Sequence, residues 1–318
     1  MSDLPFLRRV ALIVLLCGAA VLPAAAGCGG RKKPLTIKER LVKARAEKTP
    51  DAQARELTRV ARSQFQAGDK MGAIKTLTEA KDKIPAEGMA AVNGPRLVEI
   101  GGLYAEMEEK KLGLAAVRQA VAGSETIDDA VTRIRLLADA GAVYGPKEGG
   151  LGDPKSARDA LAKAVELAGG VEDRFKAQAL AAIAVGYTRA NLAKEAGKIV
   201  EQLEASAREL PDPRPKAEAL AAAANVRSQT GDEEAAVGLL KEAADVAKKM
   251  SDKGMAVENR TYALLAVATA YLESGDAKEA AKLLKLAEKS AVQISDPESQ
   301  KNGVEKVRQM QSKVGRKK

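Results

Sequence analysis

The stretch AYLESGDAKEAAKLLKLAEKSA (Ala270–Ala291) decides the fold. Small and apolar residues recur in it at helical spacing on both sides of Ser-Gly-Asp. Gly275 suits the left-handed end of one helix and Asp276 suits the cap of the next. The stretch therefore reads as two helices joined at a tight corner. Two such helices cannot cover their own apolar faces, so further copies are expected upstream.

Walking back from Leu264, equivalent leucines stand at Leu220, Leu180, Leu137, Leu97 and Leu57, 40 to 44 residues apart. Three residues past each comes Val60, Ile100, Ala140, Ile183, Ala223 or Val267. Four past comes a small residue: Ala61, Gly101, Gly141, Ala184, Ala224 or Ala268. Seven past comes Gln64, Tyr104, Tyr144, Tyr187, Arg227 or Tyr271. Spacings of three, four and seven share one helical face, which makes this column a core stripe. Gly68-Asp69 and Gly231-Asp232 repeat the corner of the opening stretch, and Glu108-Glu109 and Asn191-Leu192 hold its place in two copies. Each second helix then carries a small residue (Ala73, Gly113, Ala157, Ala196, Ala236, Ala280). An aliphatic follows it (Leu77, Val117, Leu161, Val200, Leu240, Leu284).

This pattern resembles the tetratricopeptide repeat, with its small residue on each helix, a Tyr near the corner and a closing Ala. The likeness spans about residues 50–293. It departs from the family in its period, near 40 instead of about 34, and in Leu at the usual opening aromatic. The third copy also carries an insertion, GPKEGGLG, between its helices. The resemblance implies an all-α, right-handed solenoid of six helix pairs over residues 50–296. An N-terminal helix within 28–49 and a C-terminal helix with a basic tail at 297–318 would cap it. Joints at TPDAQ (49–53), PDPRP (211–215) and SDPES (295–299) each offer Thr or Asp as a cap followed by Pro in the first turn.

Composition narrows the chemistry. The 318 residues contain no His and no Trp, and aromatics make up 3%. Without imidazole there is no Ser-His-Asp triad and no His-ligated zinc. Both cysteines fall within the first 28 residues, so no disulfide or thiolate metal site is expected in the body. Charge sits at the ends: the full chain is +9, with residues 28–60 holding ten Lys/Arg against four Asp/Glu and residues 301–318 seven against one. The slightly acidic repeats argue against a nucleic-acid stripe. The Gly-rich insertion lacks the spacing of a phosphate-cradling loop and reads as a flexible loop. No catalytic residue, metal, cofactor or small-molecule substrate is expected.

Residues 1–27 begin with Arg8 and Arg9, continue in an apolar run from Val10 to Leu22, and end in small residues. That is the form of an export signal, the run being short of the roughly 20 residues of a membrane span. The exit PAAAGCGG resembles the lipobox of bacterial lipoproteins, which would make Cys28 the lipidated N-terminus of an exported, membrane-anchored protein at the periplasmic or outer face. Ala25 stands where that family more often has Leu, and ordinary cleavage after Ala26 is the competing reading. Arg31, Lys32 and Lys33 follow, either holding an anionic membrane surface or serving as a solvated tether.

In repeats of this kind the first helices line a groove for peptides or protein segments. Positions one, five and eight past each Leu would face it, which selects Arg62, Phe65, Val98, Val185, Asn225, Thr269 and Leu272 as candidate lining. The expected function is a non-enzymatic, lipid-anchored scaffold for a protein or peptide partner in the bacterial envelope. The alternative is a structural subunit of an envelope assembly machine, serving outer-membrane proteins or a pilus secretin.

Overall fold

Alanine, leucine, lysine and glutamate dominate the repeats, and all four favour helix. The computed structural model describes residues 34–85 and 88–316, and its regular structure there is helical throughout. The proposed signal, Cys28, the stem Arg31–Lys33 and the last two lysines lie outside the described residues.

Fourteen α-helices run in order among the described residues. A short α1 (Ile37–Arg45) precedes six pairs. The pairs are α2 (Pro50–Gln66) with α3 (Lys70–Asp82), α4 (Ala90–Glu106) with α5 (Lys110–Gly123), and α6 (Ala130–Tyr144) with α7 (Pro154–Ala168). They continue as α8 (Asp173–Arg189) with α9 (Ala193–Glu209), α10 (Pro213–Gln229) with α11 (Glu233–Lys249), and α12 (Ala256–Glu273) with α13 (Ala277–Ala291). The last helix, α14 (Pro297–Arg316), covers α12 and α13. Each first helix packs on its own second helix and on the first helix of the next copy. The six expected pairs and two terminal helices are all present.

The interior columns fall where the spacing puts them. All six column leucines are at most 3% exposed, and so are the aliphatics of the second helices. The small columns set the distance between paired helices. A methyl group added at Gly101 would lie 2.3 Å from a Val117 methyl, and one at Gly113 would lie 2.9 Å from the Gly101 carbonyl oxygen. At Gly141 it would lie 2.6 Å from Leu161 Cγ. The four core tyrosines, Tyr104, Tyr144, Tyr187 and Tyr271, are buried.

One backbone hydrogen bond recurs at every corner. The N–H of the residue that starts the second helix donates to the carbonyl of the residue seven past the column leucine. The pairs are Asp69 to Gln64, Glu109 to Tyr104, Asp153 to Tyr144, Leu192 to Tyr187, Asp232 to Arg227 and Asp276 to Tyr271, all at 2.8–2.9 Å. The residue just before the donor is left-handed each time: Gly68, Glu108, Gly152, Asn191, Gly231 and Gly275. In five copies this is the terminal bond of a Schellman-type ending, and in the third the same bond spans nine residues. Asp69, Asp153, Asp232 and Asp276 also accept a backbone N–H from the first turn of the second helix. The Pro-containing joints behave as expected, with Thr49, Asp212 and Asp296 capping α2, α10 and α14.

The insertion of copy three is held down, not a free loop. Leu151 is 4% exposed and packs against Gly113, and its N–H donates to the Val143 carbonyl. Gly145 lies against Ala190, and Lys110 Nζ donates to the Lys147 carbonyl at 2.9 Å. A single buried leucine and three neighbouring backbones supply the anchorage that its glycines lack.

Two consequences are measurable by chemical denaturation. Gly141→Val should overpack Leu161 and cost about 1–3 kcal/mol, and Leu180→Ala should leave a cavity costing about 2–5 kcal/mol. Normal melting of both variants would contradict the interior columns. By contrast, Glu108 has φ 62°. Glu108→Gly should raise stability by about 0.5–1 kcal/mol, because removing the left-handed strain outweighs the extra chain entropy of glycine.

Candidate functional site

The first helices carry the expected lining, and its three columns fare differently. Five residues past each leucine, Arg62 is exposed and Gly102, Ala142, Val185, Asn225 and Thr269 are half-buried. One residue past, Thr58, Val98, Ala138, Ala221 and Leu265 are buried. That column faces the neighbouring first helix, because successive first helices pack side by side. Eight past, Phe65, Thr188 and Ser228 are half-buried, while Ala105 and Leu272 are buried. Val98 and Leu272 are each 5% exposed.

Some of these residues converge. A cavity of about 540 Å³ is bordered by Arg62, Val98, Gly102 and Ala142, with Asp139 beside them and Gly149 of the insertion at its edge. Val98 forms part of its floor. Gly102 and Ala142 leave the space open because they carry little or no side chain. Phe65, Val185, Asn225, Thr269 and Leu272 do not border it.

The polar groups of the lining are largely engaged with each other. Arg62 Nη2 donates to Glu99 Oε1 of the next first helix at 2.8 Å, and Asn225 Nδ2 donates to Glu273 Oε2 at 2.6 Å. Thr269 Oγ1 donates back to the Leu265 carbonyl. The Arg62–Glu99 pair is half-exposed on both sides, so it orients two side chains more than it stabilises the fold. Asp139 keeps contact with solvent yet is crowded by protein. Burial pushes its carboxyl above the ordinary range, while Arg189 and Arg135 pull it down.

Two further hollows were not read from the sequence. One, of about 440 Å³, lies at the joint between α8 and α10, bordered by Phe175, Leu210 and Pro211. An exposed aromatic in a chain with three phenylalanines was the available signal. The other, of about 570 Å³, lies between the second helices α5 and α7 beside Tyr144. No sequence period marks it.

No protein-family model and no curated protein matches the chain. Among solved structures it is similar to Ton1535 from Thermococcus onnurineus NA1, at 13% identity and TM-score 0.41, covering 85% of this chain and 94% of that one. It is similar to a Rap protein complexed with Competence and Sporulation Factor, at 14% identity and TM-score 0.36, covering 87% and 80%. It is also similar to Acl4, the assembly chaperone of RpL4, at 16% identity and TM-score 0.32, covering 83% and 98%. Superposition at this level does not carry over what those proteins bind. The class is fixed by the chain's own helices: an all-α protein of six paired-helix repeats with terminal covers.

Asp139 gives the site a pH signature. Its raised carboxyl means that the charged form is disfavoured in the fold, so its stabilising contribution falls as pH rises through the folded value. Asp139→Asn should therefore be more stable than the parent at pH 7.5. The difference should shrink as pH drops into the ordinary carboxylate range. Urea titrations at both ends of that range check it, and an Asn variant that is less stable at pH 7.5 would contradict the crowding of the carboxylate.

Proposed function

We propose that this protein is a non-enzymatic scaffold that holds a protein segment along its first helices, tethered to a bacterial membrane through a lipidated Cys28. The observation that carries the binding part is the first-helix cavity of about 540 Å³, where Arg62, Val98, Gly102 and Ala142 meet. Its polar groups are already oriented by cross-copy bonds, so a partner would meet a lining with little side-chain freedom left to lose. The tether rests on the sequence alone: the basic start, the short apolar run and the small residues before Cys28. Two or more acyl chains on that cysteine would anchor it stably.

The test is photocrosslinking in native membranes, with the crosslinking residue placed in turn at Ala142, Val185 and Thr269 and, as a control, at Leu112 on a second helix. Adducts with one envelope protein from the first-helix positions, absent at Leu112, are expected, and Ala142→Trp should abolish the adduct at Val185. A partner recovered in fixed ratio would mark a subunit of an assembly machine. Adducts from Leu112 alone would overturn the groove. Separately, Cys28→Ser should move the protein to the soluble fraction. Retention on the membrane would overturn the lipid anchor.

A further inference from the structure

The first helices offer two surfaces in series. Two residues past each column leucine, the side chain stands about 200° round the helix from that leucine and points away from the core. In copies one to three the position holds Arg59, Glu99 and Asp139, all exposed. In copies four to six it holds Ala182, Ala222 and Ala266, all half-buried. The first three copies show that the fold accepts charge here, so helix packing does not impose the alanines. Five past the leucine, the last three copies carry Val185, Asn225 and Thr269, again without charge. Helices α8, α10 and α12 pack side by side. The two columns therefore make one uncharged strip across three helices.

Little in the strip is free to bond. Asn225 Nδ2 donates to Glu273 at 2.6 Å, and Thr269 Oγ1 donates to the Leu265 carbonyl at 2.8 Å. The other four side chains are hydrocarbon, and the backbones beneath them are paired within their own helices. Such a lining discriminates between backbones. An extended segment brings an N–H and a C=O with every residue, and pressing these on hydrocarbon strips their water without replacing it. A helix arrives with the same groups already bonded to each other. Beside the strip lies the hollow of about 440 Å³, whose walls include Phe175, Ala181, Leu210 and Pro215. Gln178 and Gln229 are exposed at the two margins of the strip, where the polar flanks of an amphipathic helix would lie.

We propose that α8, α10 and α12 hold an amphipathic helix of the partner protein, an inference that rests on the scaffold reading. Its apolar face lies on Ala182, Ala222 and Ala266, and one large apolar side chain fills the hollow beside Phe175. Three helices at a spacing of about 9 Å offer roughly 27 Å, the length of about 18 helical residues.

Photocrosslinking in native membranes from Ala182, Ala222 and Ala266 tests it, with the crosslinked partner residues located by mass spectrometry. Successive positions should reach partner residues about seven apart, because a helix advances about 1.5 Å per residue. Steps of about three residues would mark an extended segment and overturn the proposal, as would adducts with a second copy of this chain. Ala222→Glu places a charge at the centre of the strip and should cut the adduct formed from Val185 at least about tenfold, with an unchanged melting temperature. Ala182→Glu is the second such variant, and parent-level adducts in both would also overturn the proposal. The outcomes separate the two readings. Loss of every first-helix adduct removes the scaffold, whereas a Val185 adduct with steps of about three leaves the scaffold standing and removes only the helix.

Discussion

The nearness of two backbones at the small-residue columns governs the rest of this molecule. Gly101 and Gly113 bring α4 and α5 so close that a methyl group on Gly113 would press on the Gly101 carbonyl. Between helices that approach this closely the core is mostly Leu, Ile, Val and Ala, with four tyrosines buried near the corners. Alanine also loses no side-chain entropy when buried. Each hairpin then presents a thin apolar face that only the next hairpin can cover. The polar outer faces of α1 and α14 close the series.

The same nearness shapes what the surface can offer. Neighbouring first helices pack so tightly that most of one column of side chains disappears between them, leaving the column five past each leucine the most open. The groups there are short, or are tied to the next copy as Arg62 is to Glu99 and Asn225 to Glu273. The lining is thus fixed before any partner arrives, which lowers the ordering cost of contact. It is also shallow, except where Gly102 and Ala142 follow one another and the insertion adds a wall.

Much of this was legible in the amino-acid sequence, because the columns repeat. Leu57, Leu97 and their successors mark a face on each helix, and a face that recurs six times can be read without coordinates. The corners were legible for the same reason, including Glu108 and Asn191, which stand where other copies have glycine and share its left-handed backbone. How deeply Val98 and Leu272 are buried was not legible, because helical geometry gives a residue's angle on its own helix and not the position of the helix next door. The anchorage of the insertion was hidden because Leu151 and Gly113 are distant in sequence and belong to no period.

The corner bond between the start of each second helix and the carbonyl seven past the leucine has a wider meaning. It forms across five residues in most copies and across nine in the third, from Tyr144 to Asp153, with the same length. The hinge of a hairpin is therefore set by its two end residues and the left-handed residue before the donor, and the length of chain between them differs among copies. Each corner is a port at which new sequence can be spliced in while the register of the array is left undisturbed.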